Sequence, residues 1–115
     1  MEYMCLFYVP GDANPRPEVF AECMAVAEEA HRAGAMVNAR GLEDAASATT
    51  VRMRDGKRLL TDGPFAETRE HLGGYFLIDA KDLHEAIGIA GRIPAGRWGT
   101  VEIRPVMEIP GLPAV

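Results

Sequence analysis

Three carboxylates, Asp62, Glu67 and Glu70, fall within nine residues in the run Thr61-Asp62-Gly63-Pro64-Phe65-Ala66-Glu67-Thr68-Arg69-Glu70. Carboxylates this close can transfer protons or hold a cation. Pro64 fixes φ and suits the first position of a helical turn. A turn from Pro64 through Glu67 would bring Glu67 and Glu70 to one side. The alternative is that such carboxylates complement a helix N-terminus and are solvated. Asp62-Gly63 reads as a turn pair, with Asp62 bonding its own downstream backbone and holding the turn closed. His71 follows directly and His31 stands farther upstream, so the candidates for acid–base work are Asp62, Glu67, Glu70, His31 and His71. A carboxylate base would need burial or a like-charged neighbour to bring its pKa toward neutral.

A second chemistry-bearing stretch precedes the first. Thr49-Thr50-Val51-Arg52-Met53-Arg54 alternates, Asp55-Gly56 is a preferred two-residue turn, and Lys57-Arg58-Leu59-Leu60-Thr61 returns, which predicts a β-hairpin. It carries four of the twelve basic residues, with Val51 and Met53 facing one way and Arg52 and Arg54 the other. Arg52 could bind a carboxylate or phosphate through its planar fork of donors. The competing reading is a solvated ribbon whose cations offset Asp62, Glu67 and Glu70 in weak surface pairs.

These residues must be positioned by the rest of the chain. Tyr3 to Val9 is an unbroken apolar run and predicts a strand covered on both faces. Pro10 through Pro17, with three prolines, predicts a loop. From Glu18 to Ala33 the apolar positions Phe20, Cys23, Met24, Ala27 and Ala30 recur at helical spacing, and Gly34 should stop the helix. His31 lies about 20° from Phe20 on that stripe. It is either a satisfied core or dipole-capping residue or one that lines a pocket at the helix end. Ala35 to Arg40 predicts a short strand, ended by Gly41.

Leu72 to Ala80 predicts a second strand apolar on both faces. Its Gly73 and Gly74 signal a bulge or a close approach of backbone or ligand. Asp82 with Glu85 is a capping-box pattern before a helix whose stripe is Leu83, Ala86, Ile87, Ala90 and Ile93. Gly88 and Gly91 weaken that helix, as if to admit a neighbour. Thr100 to Arg104 alternates as a last strand, and the tail through Pro113 should be an extended arm.

At 115 residues with no linker, repeat or low-complexity segment, residues 1–115 read as one domain. Net charge is −5 and no tail or helix face gathers the basic residues, which argues against nucleic acid or an anionic membrane as partner. No apolar run approaches the roughly 20 residues that span a bilayer, and the N-terminus lacks a signal-peptide pattern. Cys5 and Cys23, without CxxC spacing, read as reduced core thiols of a cytoplasmic protein. The histidines have no metal-ligand spacing, and no cofactor is implied.

Without the hairpin the order is strand, helix, strand, strand, helix, strand, the split βαβ or ferredoxin-like α+β arrangement, with the hairpin inserted at its middle. Two helices cover one face of such a sheet, yet two strands are apolar on both. A second copy packed sheet to sheet would cover the other face, which predicts a homodimer with a cleft for an unidentified small molecule.

Val51-Arg52-Met53-Arg54-Asp55-Gly56-Lys57, the Asp62-Gly63-Pro64-Phe65-Ala66-Glu67-Thr68 run, Leu72-Gly73-Gly74-Tyr75 and Trp98 to Val106 together resemble the YCII-related proteins of the DGPF type over nearly the whole chain. The resemblance implies a dimeric ferredoxin-like α+β barrel. It implies no assigned reaction; some relatives are encoded near or fused to extracytoplasmic-function sigma factors, and the wider group includes a dechlorinating enzyme. That group is thought to pair a histidine early in the first helix with an aspartate after the second strand. Glu18 to Met24 contains no histidine, so this dyad is not carried over to Asp44. What the resemblance does place at a ligand site is Asp62, Gly63, Pro64, Phe65, Glu67 and Glu70, with Gly73 and Gly74 as the floor of a pocket. Gly63 and Pro64 would shape the corner, and Phe65 would plug the core or an interface.

Two functions follow. One is a small-molecule-binding dimer of unassigned activity, with Arg52, Asp62, Gly63, Pro64, Phe65, Gly73 and Gly74 contacting the ligand and a link to sigma-factor regulation. The other is a lyase, dehydrochlorinase or hydrolase using carboxylate and histidine acid–base chemistry.

Overall fold

The structure, a computed structural model, describes residues 1–11 and 17–113. Most of the loop expected from Pro10 to Pro17 lies outside the described residues. Six strands and two helices follow in the order β1 (Glu2–Pro10), α1 (Pro17–Arg32), β2 (Met36–Gly41), β3 (Thr49–Arg54), β4 (Lys57–Asp62), β5 (Glu70–Asp79), α2 (Leu83–Ala90) and β6 (Thr100–Pro105). Short 3-10 turns at Ala45–Ser47 and Pro94–Arg97 lead into β3 and β6. Four strands form one sheet in the order β2-β5-β1-β6, every neighbouring pair antiparallel. This α+β architecture is compatible with the ferredoxin-like arrangement.

The core lies between the sheet and the helices. Tyr3, Cys5 and Phe7 of β1 and Phe76 and Ile78 of β5 bury alternate side chains against Val26 and Ala30 of α1 and Ala86, Ile89 and Ala90 of α2. Phe7 and Phe76 meet edge to face with ring centroids 4.9 Å apart. The intervening residues Met4, Leu6, Tyr8, Tyr75 and Leu77 stand on the opposite face and are only half-buried. Both strands are thus apolar on two faces, and the chain covers one of them.

The helix ends follow local chemistry. Gly34, at φ 75°, ends α1 with both bonds of a Schellman motif, Ala35 N to Ala30 O at 2.8 Å and Gly34 N to His31 O at 3.0 Å. Asp82 Oδ1 accepts from Glu85 N at 2.9 Å and Glu85 reaches back to Lys81 N at 3.4 Å, so the expected cap forms one residue wider than a capping box.

The helix stripes differ from the spacing-based expectation. In α1, Phe20 and Met24 are 57% and 71% exposed, and Val26 faces the core instead. In α2, Leu83 and Ile87 are exposed and Ile89 is buried. Both helices have apolar residues around more than one face, and packing chose the sides rich in alanine, which let helix and sheet approach closely. His31 consequently lies in solvent at the end of α1. Gly88 admits no neighbour, since a Cβ there would meet nothing within 4 Å.

β3 and β4 pair as their own two-stranded sheet around Asp55 (φ 52°) and Gly56 (φ 74°), the two positive φ values of a type I′ turn. Nearly every residue of this hairpin is exposed. The radius of gyration, 16.0 Å, exceeds the roughly 13 Å of a compact chain of this length, as a projecting arm requires. The helical turn expected from Pro64 to Glu67 is absent; Gly63 to Arg69 runs through bends. Gly63 is held instead by Ala48 O, 2.7 Å from its N, and by Thr50 Oγ1, which donates to Gly63 O at 2.8 Å.

Candidate functional site

A cavity of about 330 Å³ opens on the helix side of the sheet where β1 and β5 meet the start of α1. A bulge puts a histidine into it. Phe7 pairs with Gly74 but Tyr8 pairs with Leu72, so Gly73 has no opposite number and the strand's parity resets there. As a result His71, not Leu72, stands opposite Val9 on the helix face. Gly11 leaves room for the ring, because a Cβ at that position would lie 3.0 Å from His71 Cδ2 and Nε2.

The same bulge fastens the acidic side. Gly73 O accepts from Leu42 N at 2.9 Å, which draws the segment after β2 toward His71. Glu43 and Asp44 follow and line the cavity. Asp44 is held by the 3-10 turn it caps: its Oδ1 accepts from Ala46 N at 3.2 Å and its carbonyl accepts from Ser47 Oγ at 2.7 Å.

The remaining walls are largely apolar, from Phe7, Val9, Val19, Phe20, Ile93, Pro94 and Trp98. Trp98 is set by Gly99, whose missing Cβ would stand only 2.1 Å from Tyr8 O, so no other residue lets this segment lie against β1. Glu22 and Glu29 of α1 pair with Arg97 and Arg92 across this side, exposed contacts that contribute little stability. Cys23 also lines the cavity, and burial raises its thiol pKa, which keeps it protonated and a poor nucleophile.

Of the residues singled out from the sequence, the structure brings His71 and Gly73 to this cavity. Gly74 lies beside them in β5 but faces β2, with Arg40 O where its Cβ would be. Arg52 is exposed on the projecting hairpin. Asp62 is exposed at the end of β4, opposite Thr49. Gly63, at φ 94°, closes the hairpin's base, Pro64 is exposed, and Phe65 is 76% exposed and plugs no core. Glu67 is exposed, and Glu70 Oε1 accepts from Thr100 Oγ1 at 2.8 Å. The three carboxylates of the motif therefore do not line the cavity, and neither does His31.

Sequence reasoning passed over Glu43, Phe20 as a wall, and Trp98. The signal for the acidic corner was Asp44 followed three residues later by Ser47, a local cap that fixes a carboxylate where a strand ends. Among the described residues no three His, Cys, Asp or Glu side chains gather as a metal site, and no helix is long and apolar enough to cross a membrane. An imidazole and two carboxylates on a cavity whose other walls are largely apolar can orient a small molecule by hydrogen bonds.

The model of the YCII-related domain matches residues 1–110 of the chain. An uncharacterized protein of Rhizobium meliloti (strain 1021) is 34% identical over 90 residues, which covers 76% of this chain and 73% of that protein.

Proposed function

The chain belongs to the YCII-related domain family, and on that premise we propose that it is a homodimer that binds a small, largely apolar molecule between α1 and the sheet, oriented by His71 with Glu43 and Asp44. The observation that carries this reading is the cavity itself. Its volume falls within the range of ligand pockets, and its lining combines His71, Glu43 and Asp44 with largely apolar walls. The homodimer is supported by the half-buried apolar face of Met4, Leu6, Tyr8, Tyr75 and Leu77, which a second copy would cover, as in a dimeric α+β barrel.

A ligand screen by thermal shift tests the reading. A ligand at a hundred times its Kd adds about 2.7 kcal/mol, a shift of about 10 °C for a chain of this size. The shift should vanish in His71→Ala and persist in Asp62→Ala. Loss in Asp62→Ala with retention in His71→Ala would move the site to the Asp-Gly-Pro-Phe turn and refute the proposal.

His71 favours a second reading, that of a lyase, dehydrochlorinase or hydrolase. Asp44 lines the same cavity as His71 and is held by the turn that it caps. His71 from β5 would supply the imidazole at the cavity, taking a proton from a bound substrate while a carboxylate stabilises the imidazolium. A turnover rate in His71→Gln equal to wild type would exclude it.

A further inference from the structure

The cavity between α1 and the sheet has a sign as well as a shape. Glu43 and Asp44 line it with His71, and no Lys or Arg among the described residues joins them. The basic residues close by in the chain are turned elsewhere. Arg40, three residues before Glu43, donates from Nη1 to Asn38 Oδ1 at 2.9 Å and to Ala39 O at 2.7 Å, both on its own strand. Arg97, next to Trp98, pairs with Glu22, and Arg92 pairs with Glu29. Arg69, two residues before His71, is exposed and does not line the cavity. Among the described residues, neither Glu43 nor Asp44 has a cationic partner.

This arrangement sorts ligands by charge. An anion entering the cavity would meet two like charges, with no guanidinium or ammonium among the described lining residues to offset them. A cation would meet two carboxylates, and the turn that Asp44 caps already holds one of them in place. The rest of the lining favours the same ligand. Phe7, Phe20 and Trp98 give the cavity aromatic surface, which takes up an apolar body and attracts an ammonium group through the ring quadrupole. When its imidazole is neutral, His71 offers a ring nitrogen that accepts from an N–H. A volume of about 330 Å³ lies at the small end of ligand pockets and limits the occupant to a compact molecule. The chain's net charge of −5 adds a long-range pull on cations.

We propose that the cavity selects a primary amine on a compact apolar body, with the ammonium group held by Glu43 and Asp44 and the body packed against Phe20 and Trp98. This rests on the reading of the cavity as the ligand site and gives that ligand its charge and class.

Trp98 is the chain's one tryptophan, so its fluorescence reports on the cavity wall. Three probes of nearly the same shape, 2-phenylethylamine, 2-phenylethanol and phenylacetate, are titrated against wild type, Glu43→Gln and Glu43→Gln/Asp44→Asn. Emission is excited at the red edge of indole absorption, where the probes do not absorb. Wild type should bind the amine about tenfold more tightly than the alcohol, the order of magnitude that two exposed carboxylates supply, and phenylacetate most weakly. Glu43→Gln should lose part of this preference and the double variant all of it, with affinity for the alcohol unchanged, because asparagine can still cap the turn. If wild type binds the alcohol or phenylacetate as tightly as the amine, the amine assignment is overturned while the cavity stays a ligand site. An amine preference that survives the double variant overturns the role of the two carboxylates and with it the proposal. If none of the three probes changes the emission, the cavity reading itself fails and the amine assignment falls with it. Should circular dichroism show the double variant unfolded, Glu43→Gln decides, and an amine preference equal to that of wild type refutes the proposal.

Discussion

Substituting Gly74 by alanine puts the packing of β2 against β5 to a quantitative test. A Cβ at Gly74 would stand 2.6 Å from Arg40 O and 3.2 Å from Gly41 Cα, both backbone atoms of β2. Carbon and oxygen settle at about 3.3 Å or more, so β2 would have to withdraw by roughly 0.7 Å. Overpacking of this kind costs about 1–3 kcal/mol, and one or two weakened ladder hydrogen bonds add about 1 kcal/mol each. Alanine restricts the unfolded chain more than glycine does, which offsets about 0.5–1 kcal/mol. The net expectation is a loss of about 1–4.5 kcal/mol, or a Tm lower by about 4–19 °C. Gly73→Ala is the control. Its Cβ would meet Val9 Cγ2 at 3.3 Å, the end of a side chain that can turn aside, so its loss should stay below about 1 kcal/mol. Urea unfolding of both variants, with m-values compared to confirm a common two-state transition, reads the difference directly. If Gly74→Ala loses no more than Gly73→Ala, the close approach of β2 to β5 is not what the glycine provides.

Two further outcomes follow from the same geometry. Gly88→Ala, in an exposed helical turn with open space where the Cβ would go, should raise stability by about 0.5–1 kcal/mol in thermal or urea unfolding; a decrease would mean that another chain packs there. Cys5 is 0% exposed and burial pushes its thiol from 9.0 up to about 11. The folded protein therefore keeps the proton after the unfolded chain has lost it. That contribution is whole below pH 9 and is lost as pH rises toward 11, about 2.7 kcal/mol in all. Stability measured from pH 8 to 11 should fall less steeply in Cys5→Ala than in wild type, and parallel curves would contradict the assignment.

The motif around Asp62 shows how far sequence reached. Asp55-Gly56 and the alternation on either side specify the hairpin because turn dihedrals and strand periodicity are local properties. The same holds for Gly34 at the end of α1 and Asp82 at the start of α2. The glycine pair after His71 was legible as a bulge and a close approach, and Gly73 and Gly74 divide those two roles between them. Spacing alone did not decide which side of each helix turned inward. α1 carries Phe20 and Met24 on one side and Val26 on another, and only the fit of small residues against the sheet could choose.

The order of elements, the hairpin, the caps and the two-faced strands were thus determined by the sequence alone, since each depends on residues within a few positions of one another. The site was decided by tertiary structure. The three carboxylates close together in the chain do not line the cavity: Asp62 and Glu67 are exposed and Glu70 accepts from Thr100. His71, Glu43 and Asp44, far apart in the chain, were brought to one cavity because the bulge at Gly73 reverses the parity of β5 and binds the segment after β2 to the same carbonyl. Which face a strand residue takes after a bulge depends on its partner strand, and no local pattern records it.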